Sequence, residues 1–326
     1  MQFVLMVLSL VFAVVPLLIF LGIVWWLDRY DREPVWLLGL AFGWGAMGAI
    51  LGAMVFGTLL QIPLEIFLTA GAAEGISASF IAPLVEEPSK GIFLLAIYFS
   101  RHFDNTTDGF IYGAAVGLGF GMTENFLYFS QAAAVGDPLA WGGTVAVRTL
   151  YTALMHACAS SVVGAGLGFV KFRGIPYKLM IPPLTLAIAM GIHALWNGLL
   201  VLDGALAADG VLTLLNLLLF PLEFAALFIT LQVCLYSEKR MIRRELAAEA
   251  VQGWLPQGHA QILSSTLARN RKAWLPEGVN QEQYVVAATT LAFRKHQARG
   301  STDPMYANDV RRLRAELQGM LNNTNA

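Results

Sequence analysis

The chain has 326 residues, of which 57% are hydrophobic and only 13% charged, and its mean hydropathy is +0.61. That balance excludes an ordinary water-soluble domain and reads as a protein of the lipid bilayer. A net charge of −1 supplies no basic surface of the kind that binds phosphates, which argues against a nucleic-acid partner.

Apolar runs of roughly 20 to 27 residues, the length a hydrocarbon core requires, begin near Phe3, Val35, Ser77, Gly109, Thr144, Leu179 and Val211. The predicted fold class is therefore all-α, a polytopic membrane helix bundle of about seven transmembrane helices. The first run is too long for a signal peptide and lacks a basic flank before it, so it reads as a retained helix. Basic residues follow the odd-numbered runs: Arg29 and Arg32, then Arg101, then Lys171, Arg173 and Lys178, then Lys239, Arg240, Arg243 and Arg244. Loops 61–76, 135–143 and 203–210 contain none. Cytoplasmic loops carry the Lys and Arg excess, so the expected protein is a multi-pass component of the cell membrane with its N-terminus outside and its C-terminus in the cytoplasm.

After Tyr236 the composition changes, and residues 237–326 hold 13 of the 21 basic residues against eight acidic ones. The expected division is a transmembrane bundle over 1–236 and a cytoplasmic helical tail over 237–326. Val310, Leu313, Leu317 and Met320 recur at helical spacing, as do Tyr284, Ala288 and Leu291, which predicts short amphipathic helices there. Within the spans, Gly48xxxGly52, Gly113xxxGly117xxxGly121 and Gly164xxxGly168 predict grooves where helices approach closely. The two cysteines, Cys158 and Cys234, lie in apolar runs without metal-ligand spacing and read as small buried hydrophobes.

Charged groups inside a membrane helix cost about 2.5 to 3.5 kcal/mol each on insertion scales, so they need partners or a function. The third run carries Glu86, Glu87 and Lys90; the fourth Glu124 and Asn125; the fifth Arg148 and His156; the sixth His193 and Asn197. At 1.5 Å of rise per residue the acids and imidazoles fall at about 13 to 18 Å from the outer ends of their helices. Four helices of alternating direction thus bring them to one level, which predicts one polar cavity near the midplane. Glu86 and Lys90 are i, i+4 and Glu87 is i, i+3 from Lys90, so the lysine can neutralise either acid. Phe120, Glu124 and Tyr128 share a face, as do Arg148, Thr152 and His156, and again His193 and Asn197. Each element has a structural alternative: an ion-pair clasp, interhelical hydrogen bonds, an arginine anchoring a carboxylate. Their shared depth favours a site.

Glutamate beside histidine suits two chemistries, a Glu/His metal site that lowers the pKa of bound water or a metal-free glutamate base. Both are hydrolytic. HExxH, GxGD and GxSG signatures are absent, as is a phosphate-cradling glycine loop.

The stretches "EEPSK", "FGMTENFLY", "RTLYTALMH" and "HALWN", in this order on successive spans, resemble the PrsW family of intramembrane proteases, related to the type II CAAX prenyl proteases. "WWLDRYDREP" and "TDGFIYGAAVGLGFG" are also similar to that family, and the resemblance covers roughly residues 20–205. Glu124 stands where the prenyl proteases have histidine, and Lys90 where they have arginine one position later, so a prenyl substrate is not implied. The resemblance implies cleavage of a membrane-embedded protein, the named case being an anti-sigma factor in regulated proteolysis.

The expected activity is therefore intramembrane endopeptidase, with the lipid bilayer and a membrane-protein substrate as its partners. The catalytic residues expected are Glu86 or Glu87 as base, Lys90 to orient or neutralise the other, His193, and Asn197 as a hydrogen-bond donor. Glu124, His156 and His193 are the expected ligands of a metal, zinc if one is bound, or hold the oxyanion if none is. A proton- or ion-coupled transporter is the second reading, because intramembrane carboxylates and histidines also build relays; the absence of an internal repeat and the single level of the polar groups weigh against it.

Overall fold

The computed structural model describes residues 1–322, which form helices and connecting loops with no strand among them. The chain separates into two compact units, one of Met1–Leu27 and Glu33–Thr230, the other of Asp28–Arg32 and the chain from Leu231 onward.

The first unit contains α1 (Gln2–Leu27), α2 (Val35–Gly43), α3 (Ile50–Phe67), α4 (Ala70–Ile76), α5 (Ala82–Tyr98), α6 (Thr106–Val135), α7 (Pro138–Val147), α8 (Ala153–Val170), α9 (Ile175–Ala205) and the first part of α10 (Val211–Val251). Turns of π-helix over Trp44–Ala49, Ser77–Ile81 and Arg148–Thr152 join α2 to α3, α4 to α5 and α7 to α8 without a break. The result is seven continuous helical rods. Five of them are, among the described residues, long and apolar enough to cross a membrane: 2–27, 35–67, 138–170, 175–205 and 211–251. The other two are more polar, because 70–98 carries Glu74, Glu86, Glu87 and Lys90, and 106–135 carries Asp108, Glu124 and Asn125.

Helix α6 is the centre of this unit, and every residue from Thr107 to Gly121 is buried. Its start is fixed by a capping box in which Asn105 and Asp108 exchange side-chain and backbone hydrogen bonds. Glycine then allows near contact of two backbones. A Cβ on Gly109, Gly113 or Gly117 would collide with the Gly164, Ser160 or His156 carbonyl of α8, and one on Gly168 with the Asn105 carbonyl. The seam expected from the glycine spacing is thus present between α6 and α8. At the second rod half of the expected pair holds: Gly52 lies against Ser89 of α5, whereas a Cβ on Gly48 would meet the chain's own Trp44 ring, and it is Gly45 that lies against the Val116 carbonyl of α6.

In the second unit α10 continues as one helix past the apolar boundary at Tyr236, and is followed by α11 (His259–Leu263), α12 (Thr266–Arg269), α13 (Gln281–Gly300) and α14 (Pro304–Asn322). Ile242, Leu246, Tyr284, Ala288, Leu291, Leu313 and Leu317 form its core, which includes most of the residues expected on amphipathic faces. Glu245 and Glu249 of α10 are buried among cations: Arg299 grips Glu245 with two bonds of 2.7 Å, and Arg314 and Lys295 hold Glu249. The loop Asp28–Arg32 belongs to the same unit, because the Arg269 guanidinium donates to the Arg29 carbonyl and lies over the Tyr30 ring.

Candidate active site

The expected polar residues meet. Lys90, on α5, is at the centre: its Nζ lies 2.8 Å from Glu87 Oε1, 3.6 Å from Glu86 Oε2 and 2.9 Å from His156 Nδ1 of α8, with the Phe120 ring of α6 at 3.9 Å. Its side chain is only 1% exposed, so the ammonium replaces water entirely with these partners.

Two carboxylate–histidine pairs flank it. Glu87 Oε1 is 2.9 Å from His193 Nδ1, and Glu124 Oε2 is 2.7 Å from His156 Nε2. The rings of His156 and His193 stand edge to face with centroids 4.9 Å apart. An ammonium has donors and no acceptor, so His156 Nδ1 accepts from Lys90 and its Nε2–H donates to Glu124. His193 donates from Nδ1 to Glu87, because a carboxylate only accepts. Its Nε2 faces Glu86 Oε2 at 3.8 Å. Glu86 Oε2 and Glu87 Oε2 are buried without a hydrogen-bond partner.

Arg148 fixes the far side. Its guanidinium lies 2.9 Å from Glu124 Oε2, over the Tyr128 ring at 3.6 Å, and donates from Nε to Asn125 Oδ1 at 3.3 Å. It stands in the π turn 148–152, where the Ala153 amide bonds the Arg148 carbonyl five residues back. Such a turn inserts a residue without completing a helical turn, and rotates the remainder of the helix by roughly 100° relative to an uninterrupted one. Both Arg148 and His156 thereby reach one oxygen of Glu124.

The candidate ligands group differently from the sequence expectation. Glu86, His156 and His193 each bring a ligand atom within 4.8 Å of the others. Glu124, expected among the ligands, has its Oε2 shared between Arg148 and His156 and stands behind the histidine. Asn197 is turned toward the preceding π turn, where its Nδ2 donates to the Ala78 carbonyl at 2.9 Å. Trp44, which had not been singled out, donates from Nε1 to the Ser89 carbonyl at 3.0 Å and so braces α5 beside Lys90. No polar periodicity announces a tryptophan in that role.

A family model described as "PrsW family intramembrane metalloprotease" matches residues 33–226, a stretch that contains every residue of this cluster. The chain belongs to the PrsW family. It is accordingly an enzyme, a protease of the membrane. The similar proteins include the protease PrsW of Bacillus subtilis, 28% identical over 174 residues that make up 53% of this chain and 73% of that protein. The protease PrsW of Geobacillus kaustophilus is 34% identical over 153 residues, 44% of this chain and 59% of its own length, and that of Clostridioides difficile 36% identical over 125 residues, 37% and 50%. No solved structure matches. The matched PrsW region stops at residue 226, so most of α10 beyond it and helices α11 to α14 lie outside the family model.

Proposed function

We propose that this PrsW protease cleaves a peptide bond of a membrane-embedded protein with a water molecule activated at Glu86, and that Glu87 and Glu124 hold the two histidines in working orientation. The observation that carries the reading is the facing pair of Glu86 Oε2 and His193 Nε2, 3.8 Å apart, a buried carboxylate oxygen without a hydrogen bond opposite an imidazole nitrogen. A water between them is within reach of both. Glu86 can take its proton as the oxygen attacks, and general-base catalysis of this kind contributes about 10² to 10⁴-fold.

The donor set also fits the metal that the family description implies. Glu86 and His193 would hold it, with Glu87 behind His193 as the outer partner that a ligating histidine ordinarily has, and His156 would join through Nδ1 only in place of its hydrogen bond from Lys90. Lys90 and Arg148 take up the charge of Glu87 and Glu124, and the negative charge of Glu86 remains for a further cation. Bound there, zinc would lower the pKa of the water and polarise the scissile carbonyl. Lys90 keeps Glu87 ionised in place and His193 keeps its Nδ1–H on Glu87. The substrate implied by the family resemblance is a single-pass protein such as an anti-sigma factor, and the loop charges support a topology with the N-terminus outside.

The test is cleavage of a single-pass substrate by purified wild type, Glu86→Gln and Glu87→Gln, with zinc content measured on the same samples. Glu86→Gln is expected to abolish turnover, and Glu87→Gln to lower it about 10 to 100-fold by releasing His193. Chelation should remove activity and added zinc restore it. Full activity in Glu86→Gln would overturn the assignment, while full activity after complete metal removal would leave Glu86 as a base and refute the zinc site.

A further inference from the structure

The second unit contains a cavity that the proteolytic site does not use. It measures about 530 Å³ and is lined by Ser237, Arg240, Met241 and Arg244 of α10 and His296 of α13. That size is in the range of small-ligand sites. Its position on α10 is informative, because Ser237 is the first residue past the apolar stretch of a helix long and apolar enough to cross the membrane, and Tyr236 before it is an aromatic of the kind found at headgroup level. At 1.5 Å per residue, Ser237 to Arg244 rises about 10 Å. Headgroups occupy roughly 5 to 8 Å on each side of the hydrocarbon, so the cavity opens at the membrane–water boundary.

The charge in its wall is only partly balanced. Arg244 and Arg299 share the single carboxylate of Glu245, which leaves one positive charge without a counter-charge. Arg240 adds a second: it is exposed, lies over the Tyr236 ring at 6.0 Å, and has no carboxylate partner among the described residues. The Ser237 hydroxyl and the His296 ring add hydrogen-bonding groups of the kind a phosphate accepts from. Below Arg240 on the same helical face, at i−4 and i−7, Tyr236 and Val233 are each 60% exposed. A stripe that runs from cation to exposed apolar side chains matches a molecule with an anionic head and an acyl tail better than it matches a free anion.

We propose that this cavity is a binding site for an anionic phospholipid, with the phosphodiester between Arg240 and Arg244, its glycerol backbone beside Ser237, its polar head toward His296, and an acyl chain along Tyr236 and Val233. The site anchors the stretch of α10 that joins the spanning helix to the helical tail.

The full-length protein in nonionic detergent is titrated with dioctanoyl phosphatidylglycerol, dioctanoyl phosphatidylcholine and inorganic phosphate. Wild type is expected to bind phosphatidylglycerol saturably, at least 10-fold more tightly than phosphatidylcholine, with inorganic phosphate a poor competitor. Arg240→Gln should weaken phosphatidylglycerol about 5-fold, the usual effect of one basic residue at an anionic surface. Arg240→Lys should recover most of the loss, and Arg311→Gln, on the far helix α14, should change nothing. Arg240 is exposed, so these variants keep the fold, which an unchanged melting temperature verifies. Equal affinity for phosphatidylglycerol in wild type and Arg240→Gln overturns the site. Competition by inorganic phosphate as strong as by phosphatidylglycerol overturns the lipid assignment and leaves a free-anion site.

Discussion

Replacing Gly117 with alanine tests whether the contact of α6 with α8 sets the geometry of the proposed active site. The added Cβ would lie 2.6 Å from Ala157 Cα and still closer to the His156 carbonyl oxygen. Ordinary contact begins at about 3.4 Å, so the two helices must part by at least about 0.8 Å. The obstacle is backbone, and no rotamer change relieves it. Overpacking of this kind costs about 1 to 3 kcal/mol. The backbone forced to move is that of His156, whose ring bridges Lys90 and Glu124. A displacement of about 1 Å in a catalytic group can lower turnover about 100-fold. The assay is cleavage of a single-pass reporter substrate, run beside a thermal melt in the same detergent. Two controls separate the effects: Gly121→Ala meets its nearest atom at 3.1 Å and should be milder, and Gly142→Ala has nothing within 4 Å and should be neutral. Wild-type activity and melting temperature in Gly117→Ala would refute the argument, because the seam would then be loose enough to admit a methyl group.

Arg148→Gln should lower kcat about 10 to 100-fold with little change in KM, since it frees Glu124 to rotate away from His156; an effect confined to KM would place Arg148 with the substrate instead. In the second unit, burial lowers the pKa of His259, whose Nδ1 meets the Tyr284 hydroxyl at 2.9 Å. The unfolded chain therefore takes up the proton first as pH falls below about 6.5. The stability that His259 contributes is complete above that value and declines as pH drops toward its lowered folded-state value. Hydrogen exchange over residues 281–300, corrected for the intrinsic rate, should show weaker protection at pH 5.5 than at 7.5, and His259→Gln should reduce that difference; equal protection at both pH values would contradict it.

Hydropathy and charge made the helical bundle legible, because a 20-residue apolar run has few ways to satisfy its backbone in lipid other than a helix. The gathering of Glu86, Glu87, Lys90, Glu124, His156 and His193 was legible for a related reason: depth in a membrane helix can be counted from its ends. The pairing within the cluster was not. Whether Glu124 serves a metal or stands behind His156 depends on which way the side chains of α6 and α8 face, and the π turn at 148–152 shifts the facing of α8 by an amount no 3.6-residue periodicity encodes. The same holds for Gly45 against Gly48, which lie at a π turn on the second rod. Asn197 shares a helical stripe with His193, yet its amide serves the Ala78 carbonyl within another π turn. At the far end, the hydropathy change after Tyr236 was visible, but hydropathy does not say whether a helix stops, and α10 continues to Val251.

Charge matching within the cluster explains why the bundle tolerates three acids and why the proposal places the reaction at Glu86. Lys90 and Arg148 are two cations against Glu86, Glu87 and Glu124. Lys90 meets Glu87 at 2.8 Å and Arg148 meets Glu124 at 2.9 Å, while Glu86 is left at 3.6 Å from Lys90 without a hydrogen bond on Oε2. A buried carboxylate that loses its partner destabilises a protein by about 3 to 5 kcal/mol, so both matched acids are committed to their cations and are poorly placed to exchange protons. Glu86 is also more exposed than Glu87, 14% against none. The unmatched negative charge therefore lies on the residue with access to water, and a proton drawn from that water, or a divalent cation, completes the balance that the side chains alone leave open.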